Sequence, residues 1–262
     1  MWWRTAVLYE VYVRSFQDGN GDGVGDLEGV IERLDHLAGG PDSLGVDGLW
    51  LSPFYPSPMA DFGYDVSDYC GVHPLFGDLA TFDRLIAEAH RRGLRVMIDF
   101  VPNHTSDRHP WFEASRRSRH DPKRDWYIWR DGKPDGSPPN NWTSTFGGSS
   151  WTWDERTGQY YYHYFLKEQP DLNWRNPEVV KAMHEAMRFW LRRGVDGFRV
   201  DAIHVVMEDE ALQDNPPRTT PSLHPKGGPE FESQLHVHDV DHDDTQEVVR
   251  GLRRTVDAFD HR

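Results

Sequence analysis

The stretch Leu94–His104, LRVMIDFVPNH, decides the fold of this chain. Its first eight residues form a nearly continuous apolar run, which is typical of a β-strand that is buried on both faces. Three polar residues, Asp99, Asn103 and His104, lie at or just beyond the carboxyl end of this predicted strand. Strands buried on both faces belong to parallel sheets that helices cover, so the stretch indicates an α/β protein.

The same alternation of strand and helix occurs on both sides of this stretch. The predicted strands are Ala6–Val13, Val46–Leu51, Leu94–Val101 and Val195–Val200. The predicted helices cover residues 27–37, 79–92, 177–194 and 245–259, and Asp26, Asp78 and Asn176 are the expected N-caps of the first three. Four units of this kind imply a parallel sheet, which is either part of a barrel or doubly wound.

Two segments interrupt this alternation. Residues 105–173 are rich in Trp, Tyr, Gly and Pro and have little helical periodicity, so we expect an inserted subdomain rather than a connection. The second segment, residues 205–244, is polar and contains His236 and His238. Their spacing matches no known class of metal site, so we interpret this segment as a polar loop.

Composition excludes several functions. A net charge of −14 makes binding to nucleic acid through phosphate neutralisation unfavourable. The 11 Trp residues suit contact with sugar rings, although ordinary core packing also uses Trp. The single cysteine, Cys70, fits a reducing cytoplasm, and neither a signal peptide nor an 18-residue apolar stretch is visible. We therefore predict a cytoplasmic protein with a small neutral substrate and no nucleic-acid or membrane partner; the oligomeric state stays open.

The hexapeptide GFRVDA, residues 197–202, carries the strongest sign of chemistry. Because side chains alternate along a strand, Arg199 and Asp201 point to the same side. A guanidinium keeps a neighbouring carboxylate ionised, and an ionised, fixed carboxylate is what a covalent glycosidase needs as its nucleophile. The alternative is a buried Asp–Arg pair that only orders the end of a strand.

Other polar residues follow the predicted strands in the same way. Asp61 and Tyr64 come after the second strand, and Asp99, Asn103 and His104 belong to the third. In a (β/α)8 barrel the carboxyl ends of the strands form the active site. An isolated His is more often a satisfied structural residue, but its position beside Asp99 and Asn103 favours a site.

Three motifs in this order, GYDVSDY (63–69), DFVPNH (99–104) and GFRVDA (197–202), closely resemble the α-amylase superfamily of retaining glycoside hydrolases. Residues 7–27 and 142–174 resemble more narrowly its α-glucosidase and oligo-1,6-glucosidase branch. The resemblance implies the first half of a (β/α)8 TIM barrel with an inserted subdomain after strand three. Residues 1–104 would hold the first three β/α units, 105–173 the subdomain, and 174–262 the barrel through the fourth helix.

The resemblance also implies roles for individual residues. Asp201 would be the nucleophile, and Arg199 would hold it ionised. Asp61, Tyr64 and His104 would surround the sugar that is cleaved off, with Tyr64 stacked under its ring and Asp61 on its outer hydroxyls. Asp99 and Asn103 would be structural polar residues, and Phe146 and Phe165 would form walls of the pocket. Ala202 would give a preference for α-1,4 over α-1,6 linkages. Plain subdomain core is the alternative for the two phenylalanines.

The loop Asp18–Asp26, DGNGDGVGD, places oxygen ligands at alternate positions, as a hard cation requires. It is not an EF-hand, because Gly29 stands where that loop needs a bidentate Glu and no helix precedes it. The resemblance implies a structural Ca²⁺, and no organic cofactor is expected. Its ligands would be Asp18, Asn20, Asp22, Asp26 and the Val24 carbonyl; the alternative is a solvated acidic turn.

In this family the acid/base Glu follows the fifth strand and a third Asp follows the seventh. The chain stops at Arg262, as the fourth predicted helix finishes. We therefore expect the N-terminal half of a longer enzyme or a truncated reading frame, inactive alone. Glu208 and Glu210 follow strand four too closely to replace the missing Glu.

The predicted function is retaining exo-hydrolysis of terminal α-glucosidic bonds in short malto-oligosaccharides or sucrose-like glucosides. The alternatives are a non-catalytic carbohydrate-binding relative, and an oligo-1,6-glucosidase or a trehalose- or sucrose-converting member of the family. A doubly wound cofactor-binding enzyme is disfavoured, because no Gly-rich turn follows the first strand.

Overall fold

The computed structural model describes residues 2–259. Its strands are β1 (Leu8–Val11), β2 (Gly48–Leu51), β3 (Arg95–Phe100), β4 (Trp129–Arg130), β5 (Trp151–Asp154), β6 (Gln159–Tyr162) and β7 (Gly197–Val200). Its α-helices are α1 (Val13–Phe16), α2 (Leu27–Glu32), α3 (Leu34–Leu37), α4 (Leu79–Arg91), α5 (Pro110–Ser115), α6 (Pro177–Arg192), α7 (Pro229–Glu232) and α8 (Thr245–Asp257).

The central sheet is parallel, with the strand order β1-β2-β3-β7. Each strand pairs with the next strand of the β/α series, as in a barrel, whereas a doubly wound sheet reverses its order at one point. This order confirms the α/β class and favours the half-barrel over the doubly wound alternative. The pairing places Asp99 directly opposite Arg199 in β3 and β7.

The predicted helix starts are confirmed at three positions. The side chains of Asp26, Asp78 and Asn176 accept hydrogen bonds from the backbone N–H groups of Gly29, Thr81 and Glu178, at 2.7, 2.8 and 2.9 Å respectively. Each side chain satisfies one of the N–H groups that the first turn of a helix leaves free. The caps fix where each helix begins after its loop.

Two predicted elements differ from those in the structure. The helix predicted over residues 27–37 breaks at Arg33, where φ is −98° and ψ is 0°, so that α2 and α3 are separate. The strand predicted over residues 6–13 stops at Val11, because the chain turns into α1 at Val13. Apolar spacing alone cannot show the break at Arg33, because α2 and α3 keep the same buried face.

The segment 105–173 has an antiparallel sheet of its own, with the order β4-β6-β5. A hydrophobic cluster joins this segment to the residues after β7. Its buried members include Trp142, Trp151, Tyr162, Val205 and Phe231. The boundaries at residues 104 and 173 stay predictions, and Met1 and residues 260–262 lie outside the described part.

The main core lies between the parallel sheet and its helices. It contains Leu49 and Ile98 from the sheet, Phe82 from α4 and Trp190 from α6. Trp190 Nε1 donates to the Tyr69 carbonyl at 2.7 Å, which ties α6 to the loop after β2. Among residues 2–259, no helix has the length and apolar character to cross a membrane.

Candidate active site

Arg199 holds two carboxylates together at the carboxyl end of the sheet. Its Nη1 donates to Asp201 and lies 3.2 Å from Asp99 Oδ1. The Asp99 side chain is fully buried, whereas 19% of the Asp201 side chain is exposed. Asp201 is therefore fixed by an ion pair and still partly exposed to solvent, as a nucleophile must be.

Asp99 is the polar centre beneath this pair. Its Oδ2 accepts from Trp50 Nε1 at 3.2 Å and from the Tyr64 hydroxyl at 3.3 Å. Burial raises the pKa of Asp99 to about 7, since it penalises the charge more than Arg199 stabilises it, and Asp201 adds repulsion. The same burial and neighbouring carboxylates raise the pKa of Tyr64, whose hydroxyl therefore acts as a donor. Asp99 contacts Arg199, Trp50 and Tyr64, and its role as a structural polar residue stays a prediction.

Asp61 and His104 lie on either side of a buried glutamine that the sequence reasoning missed. Gln169 Nε2 lies 2.9 Å from Asp61 Oδ2 and 2.9 Å from His104 Nε2. His104 is buried, and burial lowers its pKa to about 3, so its ring is neutral at physiological pH. Burial also raises the pKa of Asp61, and the bond from Gln169 opposes that rise. The structure thus brings the predicted residues Asp61 and His104 into one cluster.

Asn103 lies behind this cluster and is buried. Its side-chain nitrogen is 3.3 Å from His104 Nδ1. The Asn103 carbonyl accepts from Leu172 N–H at 2.8 Å, which joins the end of β3 to the inserted segment. Asn103 therefore lies between His104 and the inserted segment, and its role as a structural polar residue stays a prediction.

The two predicted wall residues have different environments. The Phe165 ring packs edge-on against His104, with centroids 5.1 Å apart, and is half-buried. The Phe146 ring is 58% exposed and contacts Phe165 at 6.0 Å. The core alternative is therefore wrong for Phe146. The exposed ring stands outside Phe165 and continues the aromatic surface that begins at His104.

Ala202 follows Asp201 in a left-handed conformation, with φ of 48° and ψ of 27°. Few residues other than Gly, Asn and Asp adopt this region, and an outlier of this kind is typical of functional sites. The Asp201 N–H donates to the Phe100 carbonyl at 2.8 Å, so the turn begins just after β7 pairs with β3. The turn directs the chain into a 3₁₀ helix over Ile203–Val205.

The predicted calcium loop is held by its own backbone. Asp18 accepts from the N–H groups of Asn20, Gly21 and Gly23, and Asn20 and Asp22 accept from Asp22 and Val24. Asp26 Oδ2 is buried without a partner. That orphaned oxygen, with the oxygen-only donor set, fits a hard cation. However, the described residues contain no group of three or more His, Cys, Asp or Glu side chains gathered to hold a metal. The calcium site stays a prediction.

Trp50 and Gln169 are the two site residues that the sequence reasoning missed. Trp50 lies on β2, two residues before Ser52. Because side chains alternate along a strand, this position predicts that Trp50 faces the barrel interior. The Arg199 guanidinium lies 5.1 Å from the centre of its ring, within cation–π range. Gln169 has no such signal, because its partners are 108 and 65 residues away.

Comparison with known proteins gives the family. Residues 10–261 match the α-amylase catalytic domain. The chain is 55% identical over 262 residues to a probable α-glucosidase of Rhizobium meliloti, covering 98% of this chain and 47% of that protein. It is 48% identical to an α-glucosidase of Apis mellifera, covering 97% and 44%. An oligo-1,6-glucosidase of Heyndrickxia coagulans is 54% identical over 202 residues, 77% of this chain and 36% of that one.

Solved structures agree with this comparison. An α-glucosyl transfer enzyme superposes with a TM-score of 0.92 at 51% identity, covering 99% of this chain and 48% of its own. Trehalose-6-phosphate hydrolase of Bacillus licheniformis gives a TM-score of 0.87 at 40% identity, covering 98% and 43%. The chain spans about half the length of the curated relatives it matches. It belongs to the α-amylase family, and its residues 10–261 match the α/β catalytic domain of that family.

Proposed function

We propose that this chain supplies the nucleophile and the sugar pocket of an α-glucosidase that acts on the terminal residue of short α-glucosides. The observation that carries the proposal is the contact of Arg199 with a partly exposed Asp201, above the buried Asp99. A protein that only binds carbohydrate has no need of an ionised carboxylate held in this way. The names of the relatives, α-glucosidase and oligo-1,6-glucosidase, support the substrate class.

The proposed reaction has two steps. In the first, an Asp201 carboxylate oxygen bonds to the anomeric carbon while the bond to the leaving oxygen breaks, and that oxygen takes a proton from a general acid. In the second, water attacks the same carbon, releases Asp201 and returns its proton to the residue that acted as acid. By resemblance to the family, the acid/base carboxyl follows the fifth barrel strand. Glu208 is buried beside Arg175, and Glu210 is exposed, so neither is placed in this role.

The positions of Asp61 and Tyr64 support the proposed preference for the terminal sugar of a short glucoside. Asp61 is half-buried and accepts from Gln169, which leaves its other oxygen, Oδ1, for a sugar hydroxyl. Tyr64 presents a half-buried ring next to Asp99. A flat aromatic face binds the apolar face of a sugar, and a carboxylate accepts from its hydroxyls. Asp61 and Tyr64 would together bind one terminal sugar.

The test joins this chain to the part of the Rhizobium meliloti relative that follows the matched region. The chimera should hydrolyse an aryl α-glucoside, and Asp201→Asn should lower kcat by about 10³-fold or more with an unchanged circular dichroism spectrum. The exposed Asp42→Asn serves as the control and should keep full activity. Activity of Asp201→Asn within tenfold of the parent chimera would refute the assignment. The 262-residue chain alone should give no turnover above background.

Glucosyl transfer is the second candidate, because a solved α-glucosyl transfer enzyme is 51% identical to this chain. Transfer and hydrolysis share the first step and differ in whether a sugar or water accepts the glucosyl group. Product analysis of the chimera at high maltose concentration separates them. Each transfer to maltose forms one trisaccharide and one glucose, whereas each hydrolysis forms two glucoses, so a trisaccharide-to-glucose ratio near one would favour transfer.

Two further properties belong to the proposal. The oxygen-rich loop Asp18–Asp26 would bind a structural Ca²⁺, supported by its donor set and by the orphaned Asp26 Oδ2. A cytoplasmic location is supported by the single cysteine, Cys70, which is free among the described residues. Fractionation of the source cells, with the chain detected by antibody, tests the location directly.

A further inference from the structure

Gln169 is fully buried between the inserted segment and the sugar pocket. Its amide nitrogen lies 2.9 Å from Asp61 Oδ2 and 2.9 Å from His104 Nε2. Its amide oxygen accepts the Leu166 N–H at 3.1 Å. One side chain thus connects a loop after β2, a loop after β3 and the inserted segment.

The orientation of this amide is fixed by two independent partners. A backbone N–H only donates, so the group that faces Leu166 must be the oxygen, Oε1. An ionised carboxylate only accepts, so the group that faces Asp61 must be the nitrogen, Nε2. A flipped amide would place oxygen against carboxylate and nitrogen against N–H, and would lose both bonds inside a buried site.

The orientation of Gln169 determines where His104 carries its proton. The amide nitrogen has two hydrogens and no lone pair to accept with, so His104 Nε2 must accept the second hydrogen. A neutral imidazole then carries its proton on Nδ1. Burial lowers the pKa of His104, and the Tyr64 backbone near the ring opposes that fall, as an acceptor for a ring N–H does. The Asn103 side-chain nitrogen lies 3.3 Å from Nδ1, which is longer than the usual range for a hydrogen bond.

We propose that Gln169 is a positioning residue of the pocket, which fixes His104 as the Nδ1-protonated tautomer and orients the Asp61 carboxylate toward the bound sugar. The inference rests on the proposed function in one respect, namely that the pocket binds a sugar. In this arrangement the lone pair of His104 Nε2 accepts from Gln169, and Nδ1 carries the only proton of the ring. Replacement of the amide frees both partners and removes this constraint.

The test reads the tautomer directly and needs no catalytic activity. Two-bond ¹H–¹⁵N correlation spectra of the ¹⁵N-labelled chain at pH 7 should show a pyrrole-type Nδ1 and a pyridine-type Nε2 for His104. The signals are assigned by their loss in His104→Gln. A pyridine-type Nδ1 with a protonated Nε2 in the parent chain would overturn the proposal.

Two variants complete the experiment. Gln169→Met keeps the length of the side chain without its donors, and should shift the tautomer ratio about tenfold toward protonated Nε2, the size of effect that one buried hydrogen bond gives. The exposed Gln246→Met is the control and should leave the His104 signals unchanged. An unaltered His104 spectrum in a folded Gln169→Met would overturn the proposal. Because no substrate is present, these results stand apart from the test of Asp201 in the chimera.

Discussion

Arg199 Nη1 lies 3.2 Å from Asp99 Oδ1, and the two residues face each other across neighbouring parallel strands. The same nitrogen also binds Asp201, so one guanidinium compensates two carboxylates. The distance between the pair follows from the register of β3 and β7. The electrostatic balance of the site therefore depends directly on how the sheet is assembled.

Removal of the guanidinium should destabilise the fold, and removal of one carboxylate should partly reverse the loss. Arg199→Gln leaves Asp99 and Asp201 without compensation, which we expect to cost about 1–3 kcal/mol, because the Arg199 side chain is 38% exposed and solvent screens it. Adding Asp99→Asn removes the buried carboxyl whose charged form burial and Asp201 disfavour. Urea unfolding of the two single variants and the double variant measures the coupling. Strictly additive losses would contradict this electrostatic account.

Stability should fall as the pH drops, through His163. This buried ring binds Thr152 and the Phe165 carbonyl, and burial lowers its pKa from 6.5 to about 4. The unfolded chain then binds a proton that the folded chain excludes, so stability rises with pH between these values. Relative to His163→Gln, the parent should lose up to about 3 kcal/mol between pH 6.5 and 4.

The measurement compares free energies of unfolding of parent and variant at several pH values. The exposed His120→Gln is the matched control, and its difference from the parent should stay constant. A pH-independent difference for His163→Gln would show that the ring has the same pKa in the folded and the unfolded chain, which contradicts the prediction. Differences between variants are needed, because burial also raises the pKa of Asp99 and Glu208 to about 7, and these groups act in the opposite direction.

Calcium should raise the melting temperature of the chain through the loop Asp18–Asp26. A ligand at 100 times its dissociation constant stabilises the folded state by about 2.7 kcal/mol. Asp22→Ala removes one proposed ligand and should abolish the rise, whereas the exposed Asp42→Ala should keep it. Differential scanning calorimetry with calcium and with a chelator decides the point. Identical melting temperatures for the parent under both conditions would show that the loop is an acidic turn that does not bind calcium.

Linkage preference should respond to residue 202. In the chimera, Ala202→Val adds two methyl groups beside the nucleophile and should shift the kcat/KM ratio from maltose toward isomaltose, by about 10-fold for a difference of this size. The left-handed backbone makes a β-branched residue strained there, so the melting temperature should also fall. Ala202→Gly relieves the backbone without adding bulk and should show no shift toward isomaltose. An unchanged kcat/KM ratio in Ala202→Val would show that residue 202 does not determine the linkage preference.

The sequence predicted those parts of the fold that local chemistry determines. Apolar runs placed the four parallel strands, and Asp26, Asp78 and Asn176 marked where helices begin, because an N-cap acts within three residues of its partner. The break at Arg33 was missed, since α2 and α3 keep one buried face across it.

The candidate site could be predicted from the sequence where its residues lie on strands. It could not be predicted where the inserted segment brings distant residues together. Arg199 and Asp201 share a strand end, so their contact follows from alternation. Gln169 reaches Asp61 and His104 only because the inserted segment folds back over β2 and β3. The exposure of Phe146 has the same origin, because nothing in its neighbourhood along the chain shows which side of the insertion faces solvent.

The central claim is that Asp201 forms the covalent bond to the sugar. The most direct measurement treats the chimera with 5-fluoro-α-D-glucosyl fluoride, whose fluoride leaves without a proton and whose ring fluorine slows release of the glycosyl enzyme. Peptide mass spectrometry should find one fluoroglucosyl group on the peptide that contains Asp201, and none in Asp201→Asn. A label on another carboxylate, or an unchanged yield of label in Asp201→Asn, would contradict the account.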